Sequence, residues 1–218
     1  MLPIPDLIAA CENEVRRIWG DADDGAHDLA HLYRVWNLCQ VILQGEGGTQ
    51  TDLQILAPAA VLHDIVNLPK NSPDRARAAH LSADHAVRFL GTLPYPDSLV
   101  SQVAHAIRAH SFSASITPRT RTAKILQDAD RLEALGALGI ARNMIVAGQI
   151  GAQICHPTDP LGEHRPLDDT AYALDHWPLK LFPIAENLHT ETARTLAAPR
   201  LAMMRAFRDQ LLAELAPR

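Results

Sequence analysis

Three segments of this 218-residue chain carry histidines or aspartates in close spacing, the residue types that bind divalent metal ions and carry protons near neutral pH. Residues 27–35 and 63–64 combine histidine with aspartate, and residues 127–136 contain two aspartates. The chain contains 11 histidines, as many as glycines. This count suggests metal or proton chemistry, but it does not say which histidines carry it. The spacing within each segment has to decide.

In the first segment, His27 and His31 are four residues apart. If a helix has begun by His27, both imidazoles lie on one face and can address one site. A surface or helix-capping role accounts for either histidine equally well, so this pair alone does not establish a site.

The second segment places His63 and Asp64 directly after the apolar run Ala59–Leu62. An imidazole and a carboxylate at the end of a buried helix are costly unless they are paired or bound to a ligand, which favours a functional role. Both side chains can reach one metal ion above the helix surface. The alternative is a histidine at the negative end of the helix dipole, followed by an aspartate in a loop.

The third segment carries two carboxylates, Asp128 and Asp130, on an apolar helix. Residues two apart do not share a helix face, so only one of them can point away from the face that Leu126 and Leu135 occupy. This one carboxylate could belong to a site. An exposed acidic patch would explain the pair as well.

The elements that must position these residues are predicted to be helices, because apolar residues recur at three- and four-residue steps and nowhere alternate over the length of a strand. Thr51 or Asp52 is expected to cap the third helix, and Pro199 to break or kink the last. The predicted helices cover residues 7–19, 28–43, 51–62 with a stop near 67–69, 74–90, 97–110, 121–135, a small-residue helix through Ile140 and Met144, 170–182 and 189–215. The fold class is therefore all-α.

The length favours one globular domain, residues 1–218, rather than two small ones. Between residues 148 and 166, three glycines and three prolines interrupt the helices. A loop of that length is a candidate lid, although a passive surface loop fits equally.

The net charge of −5, without blocks of like charge, argues against a nucleic-acid polymer or a membrane surface as partner and is compatible with a small anionic substrate. The three cysteines are widely spaced and predict no disulfide framework, so we expect a cytoplasmic protein. No apolar run is long enough for a signal peptide or a membrane span.

Taken together, the motifs resemble the HD-domain metal-dependent phosphohydrolases, and most closely one bacterial branch of that family. The resemblance covers roughly residues 24–205. It rests on HDLAHLYRV at 27–35, LHDIVNLPKNSPDR at 62–75, HSF at 110–112, DADRLEALGALGIAR at 128–142 and HWPLKL at 176–181. Two departures are Glu133, where the branch usually has Asp, and the absence of a Glu in residues 121–124. The resemblance implies a single HD-type domain of roughly eight to ten helices.

The resemblance also implies four metal ligands, which are His31, His63, Asp64 and Asp130. His31 is preferred to His27 because the family histidine stands three residues before Arg-Val. Asp130 is preferred to Asp128 because the family aspartate lies within Ala-Asp-Arg-Leu. One divalent ion is expected, with Mn²⁺ favoured and Co, Ni, Fe, Mg or Zn as alternatives. A second metal, brought by His27 and Asp28, is the less favoured arrangement.

Two imidazoles and two carboxylates would leave a divalent ion nearly neutral, with open positions for water and a phosphate oxygen. The implied reaction is attack of water on a phosphoester or pyrophosphate bond, with Asp64 or Asp128 accepting the proton. His110 is a further catalytic candidate, which could also hold a phosphate oxygen.

Lys70, Arg75 and His27 are candidate substrate-binding residues, of which Lys70 and Arg75 would hold phosphate oxygens. Solvated loop bases would explain Lys70 and Arg75 equally, and a helix end would explain His110. The expected function is a phosphohydrolase, a nucleotide phosphatase or pyrophosphohydrolase, acting on a small phosphorylated substrate. The alternative is a non-catalytic HD scaffold for interaction or ligand sensing, which the complete set of four ligands disfavours.

Overall fold

The computed structural model describes residues 1–20, 28–66, 68, 74, 77–111 and 114–215. Within these residues the chain is helical and contains no strand, which confirms the all-α prediction. The α-helices are α1 (Ile4–Trp19), α2 (Leu29–Gly45), α3 (Gln50–Leu62), α4 (Ala78–Leu90), α5 (Asp97–His110), α6 (Arg121–Glu133), α7 (Gly136–Gln149), α8 (Phe182–Glu186) and α9 (Glu191–Leu215). The chain divides into two compact units, an N-terminal unit (Met1–Asp130) and a C-terminal unit (Arg131–Arg218).

Helix α3 lies at the centre of the N-terminal unit, where it packs against α1, α2, α4 and α5. Every residue of α3 from Gln54 to Leu62 is buried. A helix that is apolar all round needs neighbours on every side, and the four surrounding helices supply them. The C-terminal end of α3 therefore delivers the next residue, His63, into the interior.

The first turn of α3 differs from the prediction. Thr49, and neither Thr51 nor Asp52, is the N-cap residue. The Thr49 hydroxyl accepts a hydrogen bond from the Asp52 N–H at 3.2 Å, and the Asp52 carboxylate accepts one from the Thr49 N–H at 2.9 Å. This reciprocal pair satisfies two N–H groups at once, which favours the earlier start.

Helix α2 begins as the sequence predicts, next to Asp28. The Asp28 carboxylate accepts a hydrogen bond from the backbone N–H of His31 at 2.7 Å and so caps the helix. This cap fixes the first turn of α2 and places the His31 side chain in the interior, fully buried. His27 lies outside the described residues.

In the C-terminal unit, α9 packs against α7 and α8. It continues on both sides of Pro199, so the expected break there is wrong, and the alternative of a kink stays a prediction. Ala193 and Ala197 before the proline, and Met204 after it, are buried. Their packing keeps both halves of the helix in place despite the missing backbone hydrogen bond.

The predicted helix over residues 170–182 is also wrong. The chain forms a 3-10 turn at Ala173–Asp175 and a π-helical turn at Trp177–Leu181, and only then the short helix α8. Pro178 lies inside the predicted helix and has no N–H to donate, so a regular α-helix cannot pass through this segment with all of its hydrogen bonds.

Residues 150–166 follow α7 without regular structure, as predicted. Backbone hydrogen bonds join Gln153 to Ala171 and Ala173, at 2.9 and 2.8 Å. The Asp159 carboxylate accepts hydrogen bonds from the N–H groups of Glu163 and His164. Internal bonds therefore fix the path of this loop within the C-terminal unit, and its role as a lid stays a prediction.

Candidate functional site

The histidines and aspartates of the three sequence segments converge inside the N-terminal unit. His31 stands in the first turn of α2, His63 ends α3, and Asp64 follows it in a turn. His110 is the last residue of α5. Asp130 lies on α6. Four helices therefore supply one cluster, which the prediction placed together from motifs alone.

His63 is fully buried, and its two ring nitrogens have different surroundings. Nδ1 lies 2.8 Å from the Ala60 carbonyl oxygen. A carbonyl only accepts hydrogen bonds, so Nδ1 is the protonated nitrogen and Nε2 presents its lone pair. Nε2 is buried, makes no hydrogen bond to the described residues, and lies 3.6 Å from Asp64 Oδ2 and 3.9 Å from Asp130 Oδ1.

The protonation state of His63 follows from its burial. Removal from water lowers the pKa of this imidazole to about 4, against the opposing attraction of Asp64. His63 is therefore neutral at pH 7, the form that binds metal ions. A buried lone pair that faces two carboxylates suits a cation between them.

His31, in the first turn of α2, also faces the Asp130 carboxylate. Its Nε2 lies 3.6 Å from Asp130 Oδ1, and its ring centroid is 5.3 Å from that of His63. One ligand atom each from His31, His63 and Asp64 lie within 4.8 Å of one another. Two atoms that each lie about 2.1 Å from one ion are at most about 4.2 Å apart. The separations of 3.6 and 3.9 Å that involve the two carboxylates fall within this limit, whereas the 4.8 Å bound on the group exceeds it, so the most distant ligand atoms would have to move closer to share one ion. The donor set could therefore hold a divalent cation after a small adjustment.

The carboxylates form the open edge of the cluster. The Asp64 and Asp130 side chains are 22% and 29% exposed, whereas His31 and His63 are fully buried. Partial desolvation raises the pKa of Asp130, but attraction to His63, His110 and His31 outweighs it and leaves the pKa below its ordinary value. An ionised carboxylate thus faces the histidines on the side that water can reach.

His110 lies next to the cluster of His31, His63 and Asp64. Its ring lies 4.8 Å from that of His63, and its Nδ1 lies 2.6 Å from the Ile107 carbonyl oxygen. Its Nε2 lies 3.4 Å from Asp64 Oδ1. Burial lowers the pKa of His110, but the hydrogen bond to Asp64 and the charge of that carboxylate raise it above its ordinary value overall. His110 can therefore donate a proton or a hydrogen bond beside Asp64.

Asp128 is placed differently from Asp130. It is fully buried, and two residues along α6 correspond to a rotation of about 200°. Burial, together with the charges of both aspartates, raises the pKa of the Cys39 thiol on α2. The predicted role of Asp128 as a proton acceptor stays a prediction. Lys70 and Arg75 lie outside the described residues, as does His27.

Three side chains that brace the site were not singled out from the sequence. Gln127 Nε2 donates to the Ala109 carbonyl at 2.5 Å and ties α6 to the end of α5. Trp19 Nε1 donates to the Ile65 carbonyl at 3.0 Å, and Ser82 bonds to Val66. Each contact links elements that are distant in sequence, so no spacing rule points to it.

Comparison with known proteins places the chain in a family. The family model described as HD domain matches residues 28–135. An uncharacterized protein of Bacillus subtilis, YpgQ, is 32% identical over 201 residues, which are 90% of this chain and 88% of the relative. The chain belongs to the HD-domain family.

Solved structures resemble this HD-domain protein over nearly its whole length. A crystal structure of YpgQ in complex with ADP is 31% identical, has a TM-score of 0.68, and covers 93% of this chain and 97% of that one. An HD-superfamily hydrolase from Bacillus thuringiensis is 27% identical, has a TM-score of 0.73, and covers 97% and 98%. The fold is therefore that of an HD-superfamily hydrolase.

The lengths of the helices and the state of the cysteines are two further properties of the described structure. Among the described helices, none is both long and apolar enough to cross a membrane. The cysteines are free, with Cys11 and Cys39 buried and Cys155 partly exposed. The prediction of no disulfide framework therefore agrees with the described structure.

Proposed function

We propose that this HD-domain protein is a divalent-metal-dependent phosphohydrolase that cleaves a phosphoester or pyrophosphate bond of a nucleotide. The metal ligands in this proposal are His31, His63, Asp64 and Asp130. The observation that carries it is the buried Nε2 lone pair of His63, which faces both carboxylates at 3.6 and 3.9 Å. One ion is expected, with Mn²⁺ favoured because the set mixes imidazole and carboxylate donors.

When bound, a divalent cation lowers the pKa of a coordinated water and offsets negative charge that develops on the phosphoryl group. The residues supply the remaining chemistry. Asp64 is the favoured acceptor for the proton of the attacking water, because its carboxylate is partly exposed and lies beside His110. Asp128 is the second candidate, although it is fully buried.

His110 would act as a hydrogen-bond donor at the site. Its raised pKa favours the protonated ring, which can orient Asp64 or hold a phosphate oxygen. Lys70, Arg75 and His27 are proposed to bind the phosphate groups of the substrate. The complex of YpgQ with ADP supports a nucleotide as the substrate class. The free cysteines are compatible with a cytoplasmic location.

The test is a nucleotide panel assayed with metal-free protein after addition of Mn²⁺, Co²⁺ or Mg²⁺. Release of phosphate or pyrophosphate is measured by colorimetry, and bound metal by elemental analysis. We expect activity with at least one nucleotide, about one equivalent of metal, and loss of both in His63→Ala and Asp64→Ala.

The matched control is His80→Ala, which removes an exposed histidine from α4 in the same unit. It should keep the metal content and activity of the wild type. Undiminished activity in both site variants would refute the assignment, as would equal losses in the control.

A further inference from the structure

The two residues after Asp64 are held by side chains from helices that supply none of the proposed ligands. The Ile65 carbonyl accepts a hydrogen bond from Trp19 Nε1 at the end of α1, at 3.0 Å. The Val66 N–H donates to the Ser82 hydroxyl on α4, at 3.1 Å, and the same hydroxyl lies 3.4 Å from the Val66 carbonyl. Two helices therefore hold the same peptide unit, the one that joins Ile65 to Val66, one residue beyond Asp64.

Asp64 needs such support more than His63 does. His63 is the C-cap of α3, and its ring is fixed by the Ala60 carbonyl. Asp64 lies beyond the helix, in a turn closed by the hydrogen bond from the Ile65 N–H to the Leu62 carbonyl at 3.2 Å. The direction of its carboxylate follows the backbone path of this turn, which the contacts of Ile65 and Val66 set.

The surroundings of Ser82 indicate that its hydroxyl serves this contact. Ser82 is fully buried on the apolar face of α4, among residues that are otherwise apolar, namely Ala79, Ala83, Ala86 and Leu90. A serine inside a helix usually bonds to the carbonyl one turn earlier or points to solvent. Here the Ser82 hydroxyl instead bonds to the backbone of Val66. A buried hydroxyl is costly unless it is hydrogen-bonded, and this contact supplies its partner.

We propose that Ser82 and Trp19 are positioning residues that hold the turn after α3 so that the Asp64 carboxylate faces His63 and His110. The inference rests on the proposed metal site, and it assigns two residues that act on that site only through Asp64. Residues that orient a metal ligand without touching the metal typically account for a 10–100-fold change in metal affinity. We expect an effect of that size from removal of the Ser82 hydroxyl.

The experiment measures Mn²⁺ binding to the full-length, metal-free protein, using the electron paramagnetic resonance signal of free Mn²⁺, so activity plays no part. The variants are Ser82→Ala, which deletes one hydroxyl, and Trp19→Phe, which deletes the indole N–H. We expect the dissociation constant to rise about 10–100-fold in Ser82→Ala, and in the same direction in Trp19→Phe.

Tyr95→Phe is the matched control. It deletes another hydrogen bond from a side chain to a backbone carbonyl in the N-terminal unit, that of the Tyr95 hydroxyl to the Gln54 carbonyl at 2.9 Å. A general loss of stability would affect all three variants. A loss of positioning weakens Mn²⁺ binding only in the Ser82 and Trp19 variants, when it is measured well below each melting temperature.

The outcomes separate this inference from the proposed function. If the wild type binds Mn²⁺ and both positioning variants bind it as tightly, the positioning role is wrong and the metal site stands. Equal weakening in Tyr95→Phe would also overturn the positioning role. If the wild type binds no divalent ion, the proposed function and this inference both fall. Should Ser82→Ala not fold, the partly buried Trp19 still provides the measurement through Trp19→Phe.

Discussion

Replacement of Asp175 by asparagine is expected to destabilise the C-terminal unit strongly, because this carboxylate is almost fully buried and carries three hydrogen bonds. Arg165 donates to it through Nη1 at 2.5 Å and Nη2 at 2.8 Å, and the Asp168 N–H donates at 2.8 Å. The Asp175→Asn variant keeps the shape of the side chain, removes its charge and leaves the guanidinium without its anion.

The size of the effect follows from the burial of the pair. Removing one partner of a buried ion pair costs about 3–5 kcal/mol. The Arg165 side chain is 15% exposed and regains part of its hydration, so we expect roughly 2–3 kcal/mol for Asp175→Asn. In proteins of this length each kcal/mol lowers the melting temperature by roughly 2–4 °C, which gives a decrease of about 4–12 °C.

The assay is thermal unfolding followed by circular dichroism, with Asp169→Asn as the control in the same segment. Asp169 pairs with His176 at 2.7 Å but is 37% exposed, and a pair at the surface contributes less than about 1 kcal/mol. Equal decreases in melting temperature in the two variants would refute the argument that burial and the bidentate contact make Asp175 important for stability.

The effect of Asp175→Asn also depends on pH. Desolvation raises the pKa of Asp175, but the hydrogen bonds and charge of Arg165 outweigh it and lower the pKa below the ordinary value of 3.8. A group whose pKa falls on folding stabilises the protein above its unfolded pKa, and that contribution disappears as the pH falls through the folded pKa. The difference in unfolding free energy between wild type and Asp175→Asn should therefore be complete at pH 7 and shrink below about pH 4.

Two further pairs of substitutions test a close approach near the start of α7 and the cap of α3. In Gly139→Ala the new Cβ would lie 2.2 Å from the Ala134 carbonyl oxygen, so the free energy of unfolding measured in urea should fall by about 1–3 kcal/mol. Gly148→Ala is the control, because its Cβ meets no atom within 4 Å and the change should be neutral or stabilising. An unchanged Gly139→Ala protein would contradict this close approach. Thr49→Ala should lower the free energy of unfolding by about 1 kcal/mol in the same measurement, because it removes the cap of α3, and Thr51→Ala should change it very little. A larger loss in Thr51→Ala than in Thr49→Ala would show that the helix starts where the sequence predicted.

The helices of the N-terminal unit could be predicted from the sequence because each has a clear apolar period or a clear end signal. The cap of α3 shows the limit of this reasoning. Residues 49–52 offer several side chains that can cap a helix, and local preference ranks Thr49 and Thr51 alike. Both threonines have a possible partner three residues later, Asp52 for Thr49 and Gln54 for Thr51. Packing separates them, because the buried Gln54 side chain donates to the Leu2 carbonyl, whereas Asp52 completes the reciprocal pair with Thr49.

The C-terminal unit departs further from the prediction because local signals there conflict with packing. Apolar spacing favours a helix over residues 170–182, but Pro178 removes a hydrogen bond that it would need. Pro199 carries the same signal and α9 nevertheless passes through it, since buried residues hold both halves. One proline therefore accompanies an irregular segment in one case and a continuous helix in the other, so proline alone does not predict whether a helix ends, and the packing of the neighbouring residues has to be known.

The two aspartates of α6 show what the sequence could and could not establish about the site. Helix geometry requires that Asp128 and Asp130 point in different directions, but it does not say which one faces the histidines. Exposure and distance separate them in the structure, because Asp130 is partly exposed and 3.6 Å from His31 Nε2, while Asp128 is fully buried.

Neither helix periodicity nor residue spacing identifies Trp19 and Ser82, two of the side chains that brace the site. Trp19 reaches a carbonyl 46 residues away, and Ser82 reaches a peptide 16 residues away. A sequence motif identifies the residues that would touch an ion, because their spacing along each helix is constant. The residues that orient those ligands are set by how the helices pack, so they can be recognised only once the helices are in place.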